Sequence, residues 1–160
     1  MILDVDSEIT IFDPNSSSDG IYLCERKYAL ELLKFVDMLD CRPSSVPMIP
    51  NHKLSKTEGE LLDTPERYRR LVGRLMYLTI TRPDITFAVN KLCQHSSAPR
   101  LPHLRAVYKV LEYIKGTVGH GLFYSAEEDL TLKEFADADW ASCQDSRRST
   151  AGFTMFMVLP

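Results

Sequence analysis

The run Phe135-Ala136-Asp137-Ala138-Asp139-Trp140-Ala141 sets a carboxylate, Asp137, at the end of an apolar strand, where backbone geometry can aim it into a shared site. Metal-dependent hydrolysis of a phosphodiester needs several such groups, because two divalent cations about 4 Å apart must be held and their charge balanced. One or two aspartates cannot do that alone, and acidic residues at a strand end serve equally well as turn or cap residues. Nearby, Arg147-Arg148-Ser149-Thr150 offers two guanidinium groups to a phosphate, or forms a charged turn between strands.

Other combinations carry less chemistry. Cys93, His95 and His103 include metal-ligand types, but Cys93 falls near the apolar face of its helix and no fourth ligand has usable spacing for zinc. The stretch Gly116-Thr117-Val118-Gly119-His120-Gly121 lies between a helix and a strand, the reverse of the order in a phosphate-cradling loop, and is read as a turn. No Ser or Cys nucleophile occupies a recognisable elbow with a base.

The elements that must position these residues follow from periodicity. Ile9-Thr10-Ile11-Phe12 and Ile21-Tyr22-Leu23 flank the turn-rich 13–20 and predict a hairpin. A helix is expected from Arg26 to Leu39, with Tyr28, Leu32, Phe35, Val36 and Leu39 on its apolar face. Cys41 to Gly59 contains Pro43, Pro47 and Pro50 and no clean period, which predicts an extended linker. Thr64-Pro65-Glu66 is a helix start, with threonine able to cap and proline at the first helical position losing no bond. That helix should reach about Ile80, burying Tyr68, Leu71, Val72, Leu75 and Leu78 and lining up Arg67, Arg70 and Arg74 beside the buried stripe. Further helices are expected after Pro83 (Ile85, Ala88, Val89, Leu92) and from Pro102 (Leu104, Val107, Tyr108, Leu111, Ile114), the latter ended by Gly116 with Arg105 and Lys109 outward. Beyond Gly121 the texture turns to strands at 122–124, 130–136 and 152–157.

At 160 residues, 44% hydrophobic and 26% charged, the chain has the composition of a globular protein. No apolar stretch approaches the roughly 20 residues of a membrane span, so no membrane partner is expected. Four widely spaced cysteines fit reduced thiols in an intracellular chain better than a disulfide framework. Met1 to Glu8 carries neither a secretory signal nor an Arg-rich transit pattern, leaving nucleus, cytoplasm and mitochondrion equally open. The net charge of -3 is unevenly spread: residues 65–120 hold 10 Lys/Arg against 3 Asp/Glu, while 1–64 hold 6 against 12 and 121–160 hold 3 against 7. The basic middle can attract a polyanion, and it can equally be a solvated helical surface.

The run from Tyr68-Arg69-Arg70-Leu71-Val72-Gly73-Arg74 through Thr81-Arg82-Pro83-Asp84-Ile85 resembles the stretch after the palm of copia-type reverse transcriptases. Arg26-Lys27-Tyr28-Ala29, Cys41-Arg42-Pro43, Tyr113-Ile114-Lys115-Gly116-Thr117, Ala136-Asp137-Ala138-Asp139-Trp140 and Arg147-Arg148-Ser149-Thr150-Ala151-Gly152 resemble that family too, in its order, over about residues 20–157. The likeness extends to open reading frames derived from such elements in plant mitochondrial and nuclear genomes. It implies an α+β architecture: a palm-end hairpin in 1–24, a basic thumb-like helical region in 25–120 with its Pro-rich linker at 41–60, and the first strands of an incomplete ribonuclease H fold in 121–160.

By that resemblance Asp137 is the first metal-binding carboxylate of the nuclease, its cofactor is magnesium, and its substrate is an RNA–DNA hybrid. The polymerase motif Tyr-x-Asp-Asp would belong upstream of residue 1, and the remaining nuclease carboxylates beyond residue 160. Asp4-Val5-Asp6 lacks the surroundings to replace that motif. The expectation is a retroelement fragment without activity and without a working metal. The alternatives are a nucleic-acid-binding module retained by the host, gripping phosphate through Arg67, Arg70, Arg74, Arg147 and Arg148, and an enzyme completed by another chain.

Overall fold

Proline placement sets the helical layout. The computed structural model describes residues 20–49, 54–125, 131–140 and 147–158, so the strand expected at Ile9–Phe12 lies outside the described residues. Strand β1 (Gly20–Leu23) leads into helix α1 (Arg26–Phe35), followed by α2 (Pro65–Leu78), a short 3-10 turn at Pro83–Ile85, α3 (Thr86–Cys93) and α4 (Leu101–Gly116). With strands β2 (Leu122–Ser125), β3 (Thr131–Asp139) and β4 (Thr150–Val158), the described residues are mixed, α+β, with two small antiparallel sheets among them. Among the described residues no helix is long and apolar enough to cross a membrane.

The four helices close on one core. Tyr68, Leu71, Val72, Leu75 and Leu78 of α2 are all buried, as their spacing predicts, against Leu32 and Leu33 of α1, Val89 and Leu92 of α3, and Val107, Leu111 and Ile114 of α4. Each such side chain contributes about 1.5–3 kcal/mol relative to exposure. Tyr68 also donates its hydroxyl to the Leu92 carbonyl at 2.8 Å, and burial pushes that phenol above its usual range.

Several local expectations change. The α1 helix stops at Phe35, and Phe35 itself is 44% exposed, outside the core, with Arg70 and Arg74 of α2 over its ring. Thr64 makes no side-chain cap; the start of α2 rests on Pro65 at the first helical position. Gly116 has no positive φ, and its lack of a Cβ serves a close approach, since an added Cβ would meet the Pro43 side chain at 3.1 Å.

Among its described residues, 41–49 and 54–59, the Pro-rich segment has no helix or strand of its own, yet both parts are pinned against α4. At one end the Ser44 N–H donates to the Glu112 carbonyl at 3.1 Å, and Met48 enters the core. At the other, Arg100 donates to the carbonyls of Lys56 and Gly59, and the His103 ring meets the Ser55 carbonyl at 3.1 Å. Its two described parts thus strap the end of α4 and its start, respectively.

Strand β1 pairs with β2, from Gly20 opposite Ser125 to Leu23 opposite Leu122. Segments almost 100 residues apart thus share a ladder, and Tyr22 donates across to the Gly119 carbonyl at 2.6 Å. The second sheet is the β3–β4 hairpin, from Thr131 opposite Val158 to Asp139 opposite Thr150.

Candidate nucleic-acid interface

The sequence-derived candidates fall into two groups. On β3, Asp137 is exposed and faces Gly152 across the ladder, and its Oδ1 accepts the Ala138 N–H at 2.8 Å. Arg147, with φ 55°, and Arg148 lie exposed just ahead of β4. Among the described residues no three His, Cys, Asp or Glu side chains come together as a metal-binding group. Asp137 by itself does not fit a two-magnesium centre, so no chemical step is derived through that ion.

The second group lies on α2. Arg67 reaches the Tyr108 hydroxyl of α4 at 3.1 Å. Arg70 and Arg74 both cover the Phe35 ring, their guanidinium carbons 5.0 and 4.2 Å from its centroid. Such contacts hold a cation in place through the ring's negative face without cancelling its charge. A shallow cleft of about 200 Å³ beside Arg67 also presents Glu60 and Asp63, which moderates the field at that end.

Ion pairing explains why the middle of the chain stays basic in three dimensions. The three carboxylates of residues 65–120 each take one cation: Glu66 with Arg69 at 3.4 Å, Asp84 with Arg82 at 2.7 Å and Glu112 with Lys109 at 3.0 Å. Seven cations of the segment are left with no carboxylate of their own segment. Some are structural: Arg100 binds carbonyls, and Lys91 lies over Phe87 at 5.6 Å. Arg67, Arg70 and Arg74 are the ones brought together on one flank of a single helix.

Two further groups form polar centres that periodicity does not indicate. Arg82 is buried and grips Asp84 with both arms of its guanidinium, at 2.9 and 2.7 Å, while donating to the carbonyl and hydroxyl of Thr117 at 2.9 and 2.7 Å. Thr117 in turn donates to the Tyr113 carbonyl at 2.8 Å. Burial alone would raise the Asp84 carboxyl, but the adjacent Arg82 guanidinium and the Tyr113 hydroxyl hold it below the ordinary carboxylate range. This cluster ties the end of α2 to the end of α4 and so orients the α2 face. The only sequence signal was that Thr81–Ile85 and Tyr113–Thr117 are both family-like segments; nothing local joins them. Similarly, His95 and His103 stack with ring centroids 3.9 Å apart, and His103 Nδ1 accepts the Arg100 N–H at 3.0 Å. Both His103 ring nitrogens thus serve the start of α4 and the strap.

The described residues form a mixed helix-and-strand chain with Arg67, Arg70 and Arg74 on one flank of α2. Comparison with known proteins gives its lineage. The chain is 42% identical over 138 residues to the uncharacterized mitochondrial protein AtMg00810 of Arabidopsis thaliana, covering 86% of this chain and 57% of that protein. It is 41% identical over 138 residues to the retrovirus-related Pol polyprotein from transposon RE1 of the same plant, covering 86% of this chain and 9% of the polyprotein. It is 68% identical over 84 residues to the uncharacterized mitochondrial protein AtMg00240, covering 52% of this chain and 76% of that protein. The chain belongs to the family of copia-type retrotransposon Pol polyproteins and the mitochondrial retroelement reading frames related to them. No family model matches it, and no solved structure does.

Proposed function

We propose that this chain is the joint between the polymerase and nuclease parts of a copia-type Pol polyprotein, and that on its own it binds nucleic acid without performing chemistry. In this reading the helical body is thumb-like, β1 is the end of the palm, and β3–β4 are the first strands of ribonuclease H. The observation that carries it is the placement of Arg67, Arg70 and Arg74 on one flank of α2, held by Tyr108 and Phe35, with no carboxylate of their segment left to neutralise them. Cations fixed by aromatic groups are presented to phosphate with part of their ordering cost already met. Arg147 and Arg148 add a second cationic point on the hairpin.

Contacts of this kind recognise backbone, so binding is expected to be indifferent to sequence, steeply salt-dependent, and on the scale of roughly 10⁻⁴ to 10⁻⁶ M at physiological salt. Fluorescence anisotropy with a short RNA–DNA hybrid over a salt series tests it. Replacing Arg67, Arg70 and Arg74 together by glutamine should weaken binding and flatten the slope of log K against log salt by about 2 to 3. An unchanged slope overturns the assignment. Magnesium-dependent primer extension or hydrolysis of the hybrid's RNA, above background and abolished by Asp137→Asn, would refute the non-catalytic half.

A further inference from the structure

A histidine with both ring nitrogens engaged has its protonation state fixed by its partners, because a carbonyl can only accept and a backbone N–H can only donate. His103 is fully buried at the third position of α4. Its Nδ1 accepts the Arg100 N–H at 3.0 Å, and its Nε2 faces the Ser55 carbonyl at 3.1 Å. The ring is therefore the neutral Nε2–H tautomer. Its acceptor serves the head of its own helix, and its donor serves the segment strapped across that head.

The seat of that segment is close-fitting. Arg100 grips the carbonyls of Lys56 and Gly59, the Leu101 N–H donates to the Glu60 carbonyl at 2.9 Å, and the Leu62 N–H donates to the Pro99 carbonyl at 3.0 Å. Gly59, with φ 88°, lies so near α4 that an added Cβ would fall 2.5 Å from the Pro102 ring. Because His103 binds the Arg100 N–H, the same imidazole positions the backbone from which the Arg100 guanidinium reaches the segment.

This arrangement has no place for a second proton on the ring. At Nδ1 it would point at the Arg100 N–H and end that bond, setting two donors face to face. It would also put a cation in the first turn of α4, at the positive end of the helix dipole, and against the buried His95 ring, stacked with its centroid 3.9 Å away. The groups that flank the pair do not offset this. From α2, Tyr68 has its ring centroid 6.5 Å from that of His103, and from α3 comes Cys93; burial pushes both the phenol and the thiol up, so both stay neutral. Arg69, bound to the Ser96 carbonyl at 2.9 Å, and Arg100 add positive charge. The strap carries Lys56, Glu58 and Glu60, all exposed, where water and salt screen them.

We propose that the stacked His95–His103 pair is an acid-released latch: when His103 takes up a proton, the segment 54–62 leaves the head of α4 and opens the shallow cleft that Glu60 to Thr64 form with Arg67 and Tyr68. Once released, the imidazole is in water, where its ordinary value is about 6.5, whereas the closed seat takes only the neutral ring. The closed form thus binds one proton fewer. Its stability is present above about pH 7 and is lost as pH falls through about 6.5 and below. For one such group the opening equilibrium rises about tenfold between about pH 7.5 and 5.5. The latch operates whether or not the chain binds nucleic acid.

Hydrogen exchange of the full chain, corrected for the intrinsic effect of pH on amide exchange, reads the opening directly. Protection of the Leu62 and Leu101 amides, whose bonds close the seat, should fall about tenfold over that pH range, while the Leu75 amide in α2 keeps its own. His103→Gln, whose amide can accept at one atom and donate at the other but does not titrate, should keep the seat closed and abolish the response. His95→Phe, which keeps a flat ring in the stack, should retain it. Unchanged protection in the parent down to about pH 5.5, or a parent-like response in His103→Gln, overturns the latch. A response lost in His95→Phe moves the proton to the wrong ring and overturns it as well, and an equal loss at Leu75 shows acid unfolding of the whole body instead. Should His103→Gln fail to fold or to close, side-chain 15N NMR of the parent decides: His103 is expected as the Nε2–H tautomer at about pH 7.5, protonating with the same midpoint as the opening. A protonated His103 beside still-protected Leu62 and Leu101 amides refutes the proposal.

Discussion

In the helical body the segment around Arg82 is closed on itself: the guanidinium is buried, both carboxylate oxygens of Asp84 are taken, and Thr117 from the end of α4 completes the set. In the β3–β4 hairpin the segment around Asp137 is open. Lys133 to Ala138 and Ala151 to Met155 are exposed whichever way they point, with Phe153 72% and the adjacent Trp140 91% accessible. Both segments resemble the same family, so resemblance reports ancestry and says nothing about whether a segment is held. Holding requires partners distant in sequence. Arg82 has them 35 residues away, whereas the described hairpin pairs with itself, and an isolated two-stranded hairpin is marginal in water.

The largest expected difference between the two regions comes from breaking the ion pair. Arg82→Met keeps the side-chain stem but leaves the part-exposed Asp84 without its cation and Thr117 without its donor, which should cost about 1–3 kcal/mol of the body's stability. Tyrosine near-UV circular dichroism reads this, because the only tryptophan is Trp140 in the hairpin. The acid limb should change with it. A carboxyl held low in the folded state contributes stability that is present above about pH 4, its ordinary range, and is lost as pH falls through the lowered value. Arg82→Met should therefore flatten the loss of stability on acidification. A variant that melts like the parent, with the same acid limb, would mean that the cluster does not hold the body together.

Proteolysis sets the same contrast on a rate scale. Trypsin should cut after Arg147 and Arg148 about a hundredfold or more faster than after Arg74 or Arg82, because cleavage in the body must wait for its opening. The resistant product should retain both β1 and β2, since their ladder crosses from one end of the body to the other. Loss of Leu122–Ser125 at the same rate as the hairpin would erase the difference.

Much of the helical layout was legible because its causes are local. Pro65, Pro83 and Pro102 mark the helix starts, and the spacing of Leu71, Val72, Leu75 and Leu78 names the buried face of α2 before any partner is known. The strand pair around Asp137 and Phe153 was legible for the same reason. What stayed hidden depends on distant residues. Phe35 has the spacing of a core residue, but its ring is the floor under Arg70 and Arg74. The Pro-rich stretch has the composition of a linker, yet Arg100 and His103 bind it from α4. Arg67, Arg70 and Arg74 could be aligned on paper, whereas the neutral groups that hold them come from α4 and α1.

The finest test compares two glycines that look alike in sequence. At Gly121 an added Cβ would fall against the Leu23 carbonyl and within 2.6 Å of the Cys24 Cβ, where β2 turns in beside β1. Neither obstacle is the flexible end of a side chain, so the backbone must shift, and Gly121→Ala should cost about 1–3 kcal/mol, the range of overpacked sites. At Gly152, opposite Asp137 on β4, the added methyl meets nothing within 4 Å among the described residues, and Gly152→Ala should change stability by no more than about 0.5 kcal/mol. Its sign should be favourable if anything, since alanine loses less conformational freedom than glycine in a strand. The pair isolates one variable, the presence of a neighbour, while the chemical change is identical. Near-equal effects would mean that the hairpin is packed against something in solution, and the body and the hairpin would then have to be treated as one packed unit.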